Sequence, residues 1–231
     1  MKSLLFFITS SAIVLCSFAS FSQRLINDAG MWNTVSFKHK FNKKFALLLT
    51  QEFRLKENYS QINVTYTELG LEYSYKKNIK TSLVYRNIQK FQYQGPLSFR
   101  NRLQWDIVLK KNFSSKIGFN YRHRLQAEVK DYFTSADGKL KEWFSRHKIG
   151  IKYDFNDKWN AAVSAEYRLQ INDPRSPEYN MGFHRQRYQA GFTYKINNKQ
   201  DVGIYYLYQN EFNIQDLTDI YILGIEYSFE F

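Results

Sequence analysis

Ser145 and His147 stand two residues apart in Trp143-Phe144-Ser145-Arg146-His147. On an extended chain that spacing points both side chains the same way. A hydroxyl beside an imidazole is the minimum for nucleophilic acyl transfer, in which the ring takes the hydroxyl proton. His123 adds a second imidazole. With residues 131–140 as the intervening loop, it falls opposite about Lys148, and His147 and Ser145 lie on its diagonal. No Asp or Glu alternates onto that face to orient a ring as a triad's third member. Lipid-ester hydrolysis at Ser145, His147 and His123 is therefore the alternative to histidines that merely touch lipid headgroups. By alternation His39 and His184 share that outward face.

The opposite face carries charge. Arg54, Arg86, Arg100, Arg102, Arg122, Arg124, Arg146, Arg168, Arg185 and Arg187 fall on it, together with Glu52, Glu68, Glu72, Asp106, Glu128, Glu166, Glu211 and Glu226. Turned toward a shared axis, these residues form either a ladder of ion pairs that fills a lumen or a basic pore that draws in phosphorylated or carboxylated solutes. The ladder is the preferred reading. The net charge of +12 does not indicate nucleic acid, because the basic residues alternate with apolar ones instead of forming one patch.

The elements that would position these groups are legible. Asn/Lys-rich turns at 41–44, 76–78, 111–115, 156–158 and 197–199 join long stretches in which every second residue is apolar. A period of two means strands. Residues 99–109 show it plainly: Phe99, Leu103, Trp105, Ile107 and Leu109 oppose Arg100, Arg102, Gln104 and Asp106. Eleven such segments occur, at 29–41, 44–57, 62–75, 79–93, 98–111, 115–130, 141–155, 158–172, 182–196, 200–213 and 219–231. Strands this long exceed the ~5–6 residues of soluble sheets and suit a membrane crossing with wet ends. The expectation is an all-β, transmembrane antiparallel meander barrel. Bacterial single-chain barrels have even strand numbers. Twelve strands are therefore expected, with an extra strand or luminal crossing within residues 23–30, and ten are the alternative.

Residues 1–22 have the three parts of a secretory signal: Lys2, the apolar run Leu4 to Phe18, and Ser20-Phe21-Ser22 before a cleavage site between Ser22 and Gln23. Residues 23–231 then form one barrel domain. Cleavage removes Cys16, the only cysteine, and with it any thiol chemistry. Leu15 before Cys16 does not fit a lipobox. The three prolines, Pro96, Pro174 and Pro177, fall in connections. No Asp/Glu/His cluster has metal-ligand spacing, and nothing in the chain asks for a cofactor. Trp32, Trp105, Trp143 and Trp159 fit an aromatic girdle at the membrane interface, as does an aromatic content of 18%.

Asp28-Ala29-Gly30-Met31-Trp32, Gln51-Glu52-Phe53-Arg54, Leu69-Gly70-Leu71-Glu72-Tyr73, Val84-Tyr85-Arg86 and the closing Glu226-Tyr227-Ser228-Phe229-Glu230-Phe231 resemble the DUF2490 family over nearly all of the chain after the signal. The resemblance implies an outer-membrane barrel of a Gram-negative bacterium, often of the Bacteroidota, and carries over no functional residues. Phe231, with Phe229 and Tyr227 at alternate positions behind it, resembles the carboxy-terminal signal read by the barrel-insertion machinery. The expected partners are therefore outer-membrane lipid and that machinery, with no nucleic acid. The expected role is non-enzymatic, either structural or a small-solute channel with a preference for anions.

Overall fold

The turns shape themselves. Asn42 Oδ1 accepts hydrogen bonds from the backbone N–H of Lys44 (2.8 Å) and Phe45 (2.9 Å), and the Phe41 N–H donates to the Phe45 carbonyl (3.1 Å). Asn156 repeats the device on Lys158 and Trp159 at 2.9 and 2.8 Å, and Asn197 on Lys199 at 2.8 Å. Ser114 does the same for Lys116 and Ile117 at 3.2 and 3.0 Å. Such side-chain turns reverse the chain in a few residues without needing glycine.

The computed structural model describes residues 26–92, 95, 97–130, 141–172, 182–212 and 217–231. The signal segment 1–22 and its cleavage site lie outside the described residues. The strands are β1 (Ile26–Lys40), β2 (Phe45–Lys56), β3 (Gln61–Lys76), β4 (Ile79–Lys90), β5 (Ser98–Asn112), β6 (Ile117–Lys130), β7 (Lys141–Asp154), β8 (Trp159–Asn172), β9 (Gly182–Asn197), β10 (Gln200–Glu211) and β11 (Thr218–Glu230). They close into a barrel in chain order. Each segment legible as alternation is one of these strands, and the boundaries agree within about three residues.

The strand number departs from the expected twelve. Among the described residues there are eleven, and Ile26–Gly30 is the beginning of β1, not a separate crossing. The reason is geometric. An odd set of alternating strands leaves the first and last pointing the same way, so β1 and β11 pair in parallel, Ile26 beside Thr218 and Lys38 beside Glu230. Phe231 completes this seam: its N–H donates to the Lys38 carbonyl at 2.8 Å and its carbonyl accepts from Lys40 N–H at 3.0 Å. The seam thus puts Ile26 at the loop end and Phe231 at the turn end.

The wall is inverted relative to a soluble protein. Leu69, Leu83, Leu103, Ile151, Val163, Phe192 and Ile204 face outward and are about half exposed, whereas Gln104, Gln126, Glu128 and Glu166 are buried inside. One strip of the lumen is apolar: Tyr205, Leu207 and Ile222 form a cluster against which Trp32 and Ile220 pack. Tyr205 lies flat on Gly224, where an added Cβ would fall within the phenol ring, and Gly191 leaves similar room, its Cβ position lying 2.6 Å from Tyr205 Cβ. We predict that Gly224→Val overpacks this site and destabilises the barrel by about 1–3 kcal/mol. The midpoint of heat-modifiable migration on a gel reads this out; an unchanged midpoint would mean that Tyr205 does not lean there.

Candidate functional site

The lumen is organised by cross-strand rows. One row runs Asp106–Arg124–Arg146–Arg168–Arg185–Glu211, each residue directly opposite the next across β5 to β10. Four arginines thus stand side by side, capped by a carboxylate at either end. The neighbouring row runs Arg122–Lys148–Glu166–Arg187–Gln209. Like charges directly opposite destabilise a sheet, so the few carboxylates present are shared. Glu166 takes Arg122 at 2.7 Å, Arg187 at 3.5 Å and Arg146. Glu128 takes Arg100 at 3.1 Å and Arg102 at 2.5 Å. Asp106 takes both Nε and Nη2 of Arg124 at 2.6 Å, and Gln104 Oε1 accepts from its Nη1 at 2.7 Å. Glu68 holds Arg86 at 2.5 Å, Glu52 holds Arg54, and Glu211 holds Arg185. Glu72 pairs with Lys38 and Lys80 at 2.6 and 2.9 Å, nearer the turn end. Glu226 lines a lower cavity of about 180 Å³ together with Lys148.

All eighteen residues expected on the charged face therefore point inward. Above the rows lies a vestibule of about 510 Å³, open toward the loop end, lined by ten Lys or Arg side chains and four carboxylates. Below it sits a chamber of about 200 Å³, lined by ten cations and two carboxylates. Aromatic rings pack against several guanidiniums: Arg54 lies 3.6 Å from the centre of the Trp32 ring, Arg86 3.7 Å from Tyr66 and Arg168 4.6 Å from Phe144.

Several expectations are corrected. Trp32 is not a girdle residue; it stands in the lumen between Arg54 and Arg187. Its alternation partners Thr34, Ser36 and Lys38 are polar, a parity that would have revealed this. Trp105 is on the outer wall but midway along β5, its Nε1–H satisfied by Thr81 Oγ1 at 2.8 Å. Trp143 and Trp159 are exposed on the outer wall toward opposite strand ends. His184 is turned inward, not outward. A bulge where Arg168 and Leu169 pair with Arg185 and Phe183 leaves His184 as the extra residue. It is buried, with Arg168 Nε donating to His184 Nε2 at 3.0 Å. Tyr66, Phe144, Glu142 and Lys90 also line these cavities, outside the charged set expected from the sequence, and Lys148 lines the lower one. Phe144 shares parity with Glu142, Arg146 and Lys148, so alternation could have found it.

On the outer wall, His123 lies directly opposite His147, one position from the expected Lys148, and the rings stack at 4.8 Å. Ser145 Oγ is 3.0 Å from His123 Nε2 and 3.2 Å from His147 Nε2, and Tyr121 Oη is 2.8 Å from His147 Nδ1. One polarity satisfies every contact: Tyr121 donates to His147, His147 Nε2–H donates to Ser145, and the Ser145 hydroxyl donates to His123. Among the described residues, no carboxylate contacts either ring, and no trio of His, Cys, Asp or Glu is placed to hold a metal ion.

The family model for a protein of unknown function, DUF2490, matches residues 29–219. The chain belongs to the DUF2490 family. No curated protein matches it significantly. Among solved structures it is similar to a NanC porin, at 11% identity with a TM-score of 0.50, covering 78% of this chain and 85% of that one. The CymD monoaromatic hydrocarbon channel follows at 11% identity and 0.42, covering 75% and 66%. The translocator domain of the autotransporter NalP from Neisseria meningitidis matches at 15% identity and 0.43, covering 79% of each chain. The porin likeness supports the barrel fold and nothing finer. For this family member, we predict that Asp106→Ala, which leaves Arg124 buried with its main partner gone, costs about 3 kcal/mol or more. Denaturant unfolding in detergent measures this, and a cost below about 1 kcal/mol would show that the pair is not structural.

Proposed function

We propose that this chain is an outer-membrane barrel of a Gram-negative cell that admits small anions into its lumen and performs no chemistry on them. The observation that carries the reading is the inverted wall: leucine, isoleucine and aromatic side chains outward, and an excess of arginine over carboxylate inward. An apolar belt around a closed sheet buries favourably only in hydrocarbon. The cationic excess inside needs counterions, and a water-filled basic constriction favours anions. In this reading the short turns lie on the periplasmic side. Planar-bilayer recording in a potassium chloride gradient tests the reading. A reversal potential on the anion side is expected; cation selectivity or wholly closed traces would count against it.

One observation favours a second reading. Ser145, itself buried by its neighbours, has its hydroxyl between two imidazoles on a face otherwise lined by Tyr121, Leu125 and Ile149, the nucleophile–base pairing that lipid-ester hydrolysis needs. In this reading His123 takes the hydroxyl proton while Oγ attacks the acyl carbonyl. His123 returns that proton to the leaving oxygen, so a neutral alcohol departs, and a water deprotonated by His123 then hydrolyses the acyl-Ser145 ester, freeing the fatty acid and restoring the hydroxyl. The lumen reading leads, because no carboxylate orients the rings and the strand N–H groups around them are committed to the sheet. Release of fatty acid from phospholipid or lipid A by the purified barrel, abolished in Ser145→Ala and reduced at least about 100-fold in His123→Ala, is the expected outcome of this second reading. Equal release by wild type and Ser145→Ala would remove it.

A further inference from the structure

The vestibule and the chamber meet at a throat. Eight residues line both cavities: Arg54, Arg86, Arg102, Arg168, Arg185 and Arg187, with Trp32 and Tyr66. No carboxylate is among them. The arginines of the lumen also divide by how their donors are spent. Arg124 has every nitrogen engaged, by Asp106 and Gln104, and Arg146 by Glu166 and Gln126. Those two are structural.

Of the throat arginines, Arg86 and Arg102 are held by Glu68 and Glu128, whereas Arg168, Arg185 and Arg187 are not saturated. Arg168 has no carboxylate contact among the described residues; its partners are His184 and the Phe144 ring. Arg185 gives one terminal nitrogen to Glu211, and its buried Nε has no partner. Arg187 gives Nε to Gln209 at 2.7 Å and reaches Glu166 only at 3.5 Å. Arg54 gives Nε to Glu52, and its guanidinium carbon lies 3.6 Å from the centre of the Trp32 ring, in the lining of both cavities. Just above, Arg100 Nε is likewise buried without a partner.

Guanidiniums packed against rings and a bulged histidine, with donors left over, form a preorganised site for oxyanions. We propose that this throat is a saturable receptor for small multivalent oxyanions, phosphate esters or polycarboxylates, rather than a passive filter for any anion. This rests on the anion-lumen reading and adds the solute class. A monovalent ion satisfies one guanidinium, whereas a solute with two or three anionic groups engages several together. The vestibule, at about 510 Å³, has room for such a molecule above the throat. The like-charged neighbours Arg168 and Arg185 repel each other in the empty barrel, so the site costs stability that a bound multivalent anion returns.

The test is thermal unfolding of the detergent-solubilised full barrel, titrated with pyrophosphate, citrate or sodium chloride at matched ionic strength. The same additions are made during bilayer recording. Expected are a saturable rise in unfolding midpoint and a saturable current block with pyrophosphate, citrate or both, the stronger arm naming phosphate or carboxylate as the preferred group. Chloride should produce neither. Arg168→Gln should weaken the saturable effect by about tenfold or more while the barrel itself unfolds no earlier than wild type. Arg187→Gln is the second variant should Arg168→Gln not fold, and Lys43→Gln in an exposed turn should change nothing. A midpoint that follows ionic strength alone, or the same saturation in Arg168→Gln and Arg187→Gln, overturns the receptor. Anion preference retained without saturation removes the receptor and leaves the lumen reading standing; loss of anion preference removes that reading itself.

Discussion

One carboxylate does an unusual share of the work inside this barrel. Glu166 lies between Arg122, Arg146 and Arg187, drawn from strands on either side of its own, and is buried with them. A buried charge is tolerable only with partners close enough to offset lost hydration. Here that partner is shared three ways, so the positions of β6, β7 and β9 in the lumen are referred to a single side chain. Glu128 repeats the arrangement on a smaller scale with Arg100 and Arg102. The interior is thus a network in which few anions organise many cations, and the residual positive charge follows from that economy.

That imbalance has a spatial gradient. Toward Asp106 the row is closed, its arginine donors consumed by carboxylate and amide oxygens. At Arg168 it opens, where an aromatic ring and a histidine stand in place of a carboxylate, and at Arg185 beside it Glu211 takes one terminal nitrogen while the buried Nε stays unspent. A ring holds a guanidinium in place without neutralising it. The same side-chain type therefore serves as rigid filling on one side of the lumen and as an accessible binding edge on the other. The difference lies in the partners, not in the arginines.

The strands, their faces and their turns were legible because a two-residue period is strong over 12 to 16 residues and because Asn42, Asn156 and Asn197 mark the reversals. The inward direction of all eighteen charged residues followed from parity alone. What alternation could not reveal was which arginine faces which. The Arg124–Arg146–Arg168–Arg185 row depends on stagger between strands joined through 131–140 and 173–181, segments whose sequence fixes no register. A one-position error displaced His123 from His147 for the same reason. His184 was misplaced because a bulge breaks the period locally and leaves no compositional mark. Trp32 follows the polar parity of its strand, with Thr34, Ser36 and Lys38, and not the membrane-interface preference of its residue type. The even-number expectation failed because it assumes antiparallel closure, and only the three-dimensional pairing of β1 with β11 shows the alternative.

Ten of the eleven strand contacts join consecutive segments and can zip up hairpin by hairpin from local turns. The eleventh unites residues nearly the whole chain apart, Ile26 with Thr218 and Lys38 with Glu230, and no turn tethers them. Its entropic cost falls due only after every other pairing exists. Until then both margins of the sheet present open backbone hydrogen-bonding groups to whatever lies beside them. Sealing the barrel is thus its least local pairing, and Phe231, fastened to both Lys38 and Lys40, is the clasp that completes it.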